Sequence, residues 1–184
     1  MARRRELRIT GGEFRGQRMA MMRGSNTRPT SSLIREAMFS MVGKIEGQKI
    51  LDLYAGTGML AIEALSRGAK DVTLVEIASG ALRTINSNLS KLSLSSKSCV
   101  VRQKSAKFLQ TTAERFDLIF ADPPYHALGE CESVVRLSAK VLTIGGILVL
   151  EHRSRMIAPE PGSGLVLLKT RTHGDSAFSL YGNE

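Results

Sequence analysis

The sequence predicts a doubly wound α/β fold: a mostly parallel seven-stranded sheet that ends in an antiparallel C-terminal hairpin, with a small basic β-hairpin in front. Three observations carry it. From Lys49 onward, short apolar and β-branched runs alternate with stretches of helical length, as in a parallel sheet with right-handed crossover helices. Residues 51–58, LDLYAGTG, run from a strand into a glycine turn that opens a helix, where exposed amides can meet a ligand. Residues 116–125, FDLIFADPPY, form a buried run stopped by an acid and two prolines. Ligands of open α/β sheets bind at the carboxyl ends of strands, which is where that acid falls.

In order, Leu7–Thr10 and Arg15–Met19 flank Gly11-Gly12 and read as the basic hairpin. A helix follows Arg28-Pro29-Thr30, capped by Thr30 or Ser31, with Leu33, Ala37, Met38 and Met41 on its apolar face. Parallel strands are expected at 49–53, 71–76, 98–102, 116–121 and 146–151, and helices at 59–67, 79–92, 106–111 and 130–142. The tail carries two β-like runs, 164–170 and 177–181, around Gly174-Asp175 with no helix between them, hence a closing hairpin. Residues 29–184 are expected to form one domain and residues 1–28 an extension that does not fold alone.

The 184 residues suffice for one core, and 42 % hydrophobic with 23 % charged residues is a globular composition. The net charge of +9 is unevenly placed. Residues 1–35 hold nine arginines and no lysine against Glu6 and Glu13, or +7, which leaves +2 for the rest. Arginine forks suit phosphate, so Arg3, Arg4, Arg5, Arg8, Arg15 and Arg18 are expected to bind a polyanion, a nucleic acid first of all. Trimming residues 1–18 would then weaken RNA binding and spare the cofactor. The N-terminus shows no signal-peptide core and no run approaches a membrane span, so a cytoplasmic protein without a membrane partner is expected. Cys99 and Cys131 lie in no metal spacing and read as reduced, buried thiols; no metal is expected. His126, His152 and His173 read as surface or loop residues, and the 151–153 stretch as a place for RNA contact.

The glycine loop also fits a loose dinucleotide fingerprint, and Glu76 stands where an acid takes ribose hydroxyls. Asp52, just before the loop, would repel a diphosphate and attract an ammonium. S-adenosylmethionine has the ribose and the ammonium and no phosphate, so it fits better than NAD.

With these motifs the chain resembles a class I S-adenosylmethionine-dependent methyltransferase with a Rossmann-like fold, and its DPPY box resembles that of enzymes acting on exocyclic amino nitrogens of nucleobases. The stretches RITGGEFRGQRM, RPTSSLIREAMF, GMLAIEALSRGA and THGDSAFSLY are similar to the bacterial 16S ribosomal RNA (guanine(966)-N2)-methyltransferase family over nearly the whole chain. The resemblance implies that Asp52, Gly56, Thr57 and Gly58 line the methionine end and that Glu76, with Ile77, holds the ribose. Arg28 and Thr30 would close over the cofactor, Ser105 and Ala106 would meet the adenine, and Asp122 would touch both cofactor and base. Asp122 and the Pro123 carbonyl would accept from the target amine while Tyr125 stacks on the base. Two positions depart from the family pattern: Ser105, where an acid is usual, and Leu33, where arginine is common. The expected partner is 16S rRNA within a small-subunit ribonucleoprotein, bound by a monomer. A DNA adenine-N6 methyltransferase and a non-catalytic RNA-binding assembly factor remain alternatives, with an NAD dehydrogenase last.

Overall fold

The computed structural model describes residues 7–22, 31–124, 128–162 and 164–183. The expected domain boundary at 28/29 lies outside them. The elements are β1 (Leu7–Arg8), β2 (Arg18–Met19), α1 (Ser32–Val42), β3 (Lys49–Leu53), α2 (Met59–Ser66), β4 (Asp71–Glu76), α3 (Ser79–Lys91), β5 (Ser98–Arg102), α4 (Ser105–Thr111), β6 (Phe116–Ala121), α5 (Leu128–Ser138), β7 (Leu142–Arg153), β8 (Leu165–His173) and β9 (Ser176–Asn183).

The main sheet has seven strands in the order β5-β4-β3-β6-β7-β9-β8. β3, β4, β5, β6 and β7 pair in parallel, and β9 is antiparallel to both β7 and β8. From β3 the chain winds one way to β4 and β5, then returns to β6 and winds the other way. The switch point is therefore between β3 and β6, and their carboxyl ends open a crevice there. Two apolar layers sandwich the sheet. One gathers Met38, Phe39, Ile62 and Ile85 from α1, α2 and α3 on Phe120, Val149, Phe178 and Leu180; the other packs Leu109, Val134 and Val135 from α4 and α5 on Leu51, Ile119 and Leu148. Asp117, the one polar residue early in β6, accepts from the Lys49 amide at 2.8 Å and from Thr143 Oγ1 at 3.0 Å. It ties the amino ends of the central strands, away from the crevice.

Several elements depart from the sequence expectation. β7 starts four residues early because its pairing with β6 jumps from Phe116↔Leu142 to Leu118↔Ile147, with Gly145 at φ +73 taking up the excess. α5 stops at Ser138 rather than at 142. Ser31, not Thr30, caps α1 by accepting from the Ile34 amide. Leu33 is 65 % exposed, so it is not on the buried face, which holds Arg35, Met38 and Phe39 instead. Cys131 is buried as expected but Cys99 is exposed, since β5 is the outer strand on its side.

The hairpin is short as a ladder but deeply anchored. Leu7, Ile9 and Met19 are buried in the same apolar layer as α1 and α2. Gly12 (φ +78) lies flat on α2, where a β-carbon would fall 1.8 Å from the Ser66 carbonyl oxygen. Trimming residues 1–18 would therefore remove core, so the RNA role of this segment has to be tested by single side chains.

Candidate active site

The strand register lines up the acids. The last paired positions of these strands join Leu53 with Val75, Leu53 with Ala121, and Ala121 with Leu150. One residue further on stand Glu76, Tyr54, Asp122 and Glu151, side by side at the carboxyl ends of β4, β3, β6 and β7. Asp122 is half-buried, Pro123 buried and Pro124 exposed. Proline offers no N–H, so this turn presents a carboxylate and bare carbonyls to the crevice.

The loop from β3 to α2 is built for close approach. Tyr54 (φ +60), Gly56 (φ +55) and Gly58 (φ +76) all take left-handed backbone, which costs nothing at the glycines but strains the tyrosine. A side chain at Gly58 would meet Leu74 at 3.1 Å and Ile85 at 3.3 Å. Glu76 holds the loop: Oε2 accepts from the Gly56 amide at 2.9 Å, and Oε1 from the amides of Ile77 (2.7 Å) and Ala78 (2.8 Å). A carboxylate has about four acceptor sites, so ribose hydroxyls still find room. Ile77 beside it is 53 % exposed, an apolar plate at the crevice edge.

Asp52 lies beneath the loop at 2 % exposure, and its Oδ2 accepts from the Ala61 amide at 3.1 Å. Burial first, and the charge of Glu76 last, push its pKa up to about 7, only partly offset by that hydrogen bond. A buried acid that is hard to ionise is complementary to a cationic ammonium. The residues therefore fit the amino-acid end of S-adenosylmethionine, with the glycine amides and Glu76 toward its ribose. Two results are expected of Asp52→Asn. Cofactor affinity falls, and the wild type alone loses affinity as pH drops through 7, because protonation removes the charge. The sign for stability is opposite: a folded pKa above the ordinary 3.8 favours folding at low pH and costs stability as pH rises through 7. The variant should melt higher than the wild type at pH 8, checked by thermal scans and calorimetric titration at pH 6 and 8.

Ser105 opens α4, is 5 % exposed, and interacts with the Tyr54 hydroxyl, which also faces Glu130. Burial, then Glu130, holds that hydroxyl above its ordinary pKa, so it stays a donor. Where an acid was expected, the site thus offers a tyrosine–serine pair with Ala106 beside it. Arg28, Thr30 and Tyr125 lie outside the described residues, as do Arg3, Arg4 and Arg5. Arg8, Arg15 and Arg18 are exposed, and Arg8 and Arg18 face one another across the β1–β2 ladder.

The structure also brings together Glu63, Arg35 and Asn88, which the sequence did not single out, and buries His152, which it read as a surface or loop residue. Glu63, fully buried in α2, accepts from Arg35 Nε at 3.2 Å, Arg67 at 2.8 Å, and both the amide and hydroxyl of Thr10. Arg35, 1 % exposed, also donates to the Arg8 carbonyl, and Arg67 stacks 4.6 Å over Phe39. Asn88 of α3 is 1 % exposed; its Oδ1 accepts from the Ala20 amide (2.7 Å), and its Nδ2 donates to the carbonyls of Ala20 (3.2 Å) and Thr57 (3.0 Å). Glu151 and His152 are both 3 % exposed, the first bonded by Ser176 and the second by Ser179. The 151–153 stretch can meet RNA only through Arg153. A lone acid in the apolar run MLAIEALS was the one available signal for Glu63. Among the described residues no metal-binding cluster occurs, and no helix is long and apolar enough to cross a membrane.

A family model described as conserved hypothetical protein 95 matches residues 7–182. Ribosomal RNA small subunit methyltransferase D of Haemophilus influenzae is 32 % identical over 185 residues, spanning 97 % of this chain and 94 % of its own. The protein of that name in Escherichia coli is 28 % identical over 182 residues, spanning 97 % and 91 %. Among solved structures, Escherichia coli yhhF superposes with a TM-score of 0.87 at 28 % identity, covering 97 % of this chain and 98 % of that one. Haemophilus influenzae HI0767 follows at 0.81 and 30 %, with coverage of 97 % and 98 %.

Proposed function

The chain belongs to the conserved hypothetical protein 95 family, and from that membership and the crevice we propose that it methylates the exocyclic N2 of a guanine in small-subunit rRNA. Its relatives make it an rRNA methyltransferase with S-adenosylmethionine as cofactor. The observation that carries the finer reading is the Asp-Pro-Pro turn placed at the switch point, level with the glycine loop.

S-adenosylmethionine, when bound, supplies an activated methyl group. The protein's residues have to hold and polarise the amine. A guanine N2 lone pair is delocalised into the ring, which makes it a poor nucleophile. Asp122 and the Pro123 carbonyl would accept the two amino hydrogens and draw the nitrogen toward tetrahedral geometry. As nitrogen gains positive charge, the Asp122 carboxylate would stabilise it. Tyr125 would stack on a base that is unpaired or flipped out. The two arginines opposed on the hairpin would lie against phosphate. Its substrate form would be rRNA within a ribonucleoprotein, met by a monomer in the cytoplasm, with residues 1–28 as RNA-facing extension and 29–184 as the methyltransferase domain.

The test is transfer of labelled methyl to small-subunit rRNA, followed by nucleoside analysis and primer-extension mapping against rRNA from a deletion strain. One N2-methylguanine missing from the deletion strain and restored by the protein is the expected result. Label found in N6-methyladenine of DNA would favour the alternative amino-methylase reading, and cofactor binding without transfer to any nucleic acid the assembly-factor reading.

A further inference from the structure

The strand furthest from the hairpin carries a second basic surface. After a register shift between Leu167 and Lys169, β8 pairs Lys169 with Leu180, Arg171 with Phe178 and His173 with Ser176. Residues paired across strands share a face. Phe178 and Leu180 lie in the apolar layer with Phe120 and Phe39, so Lys169, Arg171 and His173 stand on the face that also carries α1 and the hairpin. Arg153 shares that row, since it pairs with Ser176 from the other side. Thr170 and Thr172 take the opposite face. β8 is antiparallel to β9, which is antiparallel to β7, so the carboxyl ends of β7 and β8 coincide with the Asp122 end of the sheet. Arg155, in the turn after β7, adds a further exposed cation. Residues 153–155 and 169–175 thus hold four cations, Arg153, Arg155, Lys169 and Arg171, against Asp175.

Protection of the sheet edge would be served by cations on either face. Their confinement to one face, at the end where the crevice opens, is the arrangement of a surface that meets an extended anion. β8 lies three strands from β6, about 14 Å at ordinary strand spacing. That is about four nucleotides of a single strand at a rise of 3.4 Å. Arg8 and Arg18 lie in the hairpin on this same face, beside α2 and the last residue of α3.

We infer that Lys169, Arg171 and Arg153 form a second phosphate-binding surface, which holds the substrate RNA on the far flank of the crevice while the hairpin holds the near flank. This rests on the RNA-methyltransferase reading. The experiment measures binding of a small-subunit rRNA transcript across a salt series, for the wild type, Lys169→Gln/Arg171→Gln, Arg8→Gln/Arg18→Gln, and a control, Lys70→Gln/Lys97→Gln, at the amino ends of β4 and β5. All these side chains are exposed, and melting curves confirm folding. Each lost phosphate contact lowers the slope of log affinity against log salt by about 0.7–0.9. The β8 pair should lose about 1.5 in slope and about tenfold in affinity near 0.15 M salt, with cofactor titration as in the wild type and the control unchanged. A β8 variant with wild-type slope, beside a hairpin variant with reduced slope, overturns the second surface and leaves the RNA reading standing. Salt-independent or absent binding by the wild type overturns both.

Discussion

Asp122→Ala should abolish methyl transfer, lowering kcat by roughly 10²–10³-fold, the scale seen when one preorganised electrostatic contact to a transition state is removed. On the proposed reading the Asp122 carboxylate and the Pro123 carbonyl would accept from the amine, and of the two the carboxylate would oppose the charge that grows on nitrogen. Asp122→Asn keeps an acceptor oxygen and loses the charge, so its rate should fall between the wild type and alanine. Cofactor binding should stay largely intact in both, because Asp52 and Glu76 lie in β3 and β4 and the glycine loop follows β3, while Asp122 lies in the turn after β6. Single-turnover rates with saturating RNA, together with calorimetric titration of the cofactor, separate the two roles. A variant that transfers at wild-type rate would remove the acid from the chemistry; one that no longer binds the cofactor would move it to the cofactor site.

The second large effect falls on stability. Arg35→Met should destabilise the fold by about 3–5 kcal/mol, because it leaves the Glu63 carboxylate buried with only part of its countercharge. Burial pulls the Arg35 guanidinium below its ordinary pKa, and the Glu63 carboxylate opposes that pull. Glu63→Met should cost at least as much, since the buried Arg35 then loses its carboxylate partner and Thr10 loses its acceptor. The double variant should be more stable than either single one, because no buried charge is left over and Arg67, partly exposed, can turn to solvent. Urea unfolding of the three variants gives the cycle, and additive losses would mean that the pair does not act as a unit.

How far the chain could be read depended on whether a signal was local. The alternation of strands and helices, the DPP stop and the glycine loop are written in consecutive residues, and the seven strands, their closing hairpin and the adjacency of loop and turn follow. The ends of β7 and α5 were misplaced because Gly145-Gly146 reads as a break, while the sheet absorbs it as an irregular pairing with β6. Glu63, Arg35 and Thr10 form one cluster across 53 residues of chain, and no spacing rule reaches that far. His152 looked like a surface residue because its partner, Ser179, arrives only when β9 pairs with β7. Ser105 reads in the sequence as a weakened cofactor contact, and only the fold shows that the Tyr54 hydroxyl lies beside it.

Asn88 carries a last consequence. Two paired residues per strand give β1 and β2 no persistence of their own. Both donors and the acceptor of one buried amide fasten Ala20 of the extension and Thr57 of the glycine loop to the same turn of α3. The amide has nothing left over with which to let go of one and keep the other. Opening of the hairpin at Ala20 should therefore be coupled through Asn88 to the loop that follows β3, which amide exchange at the two segments would read as shared protection.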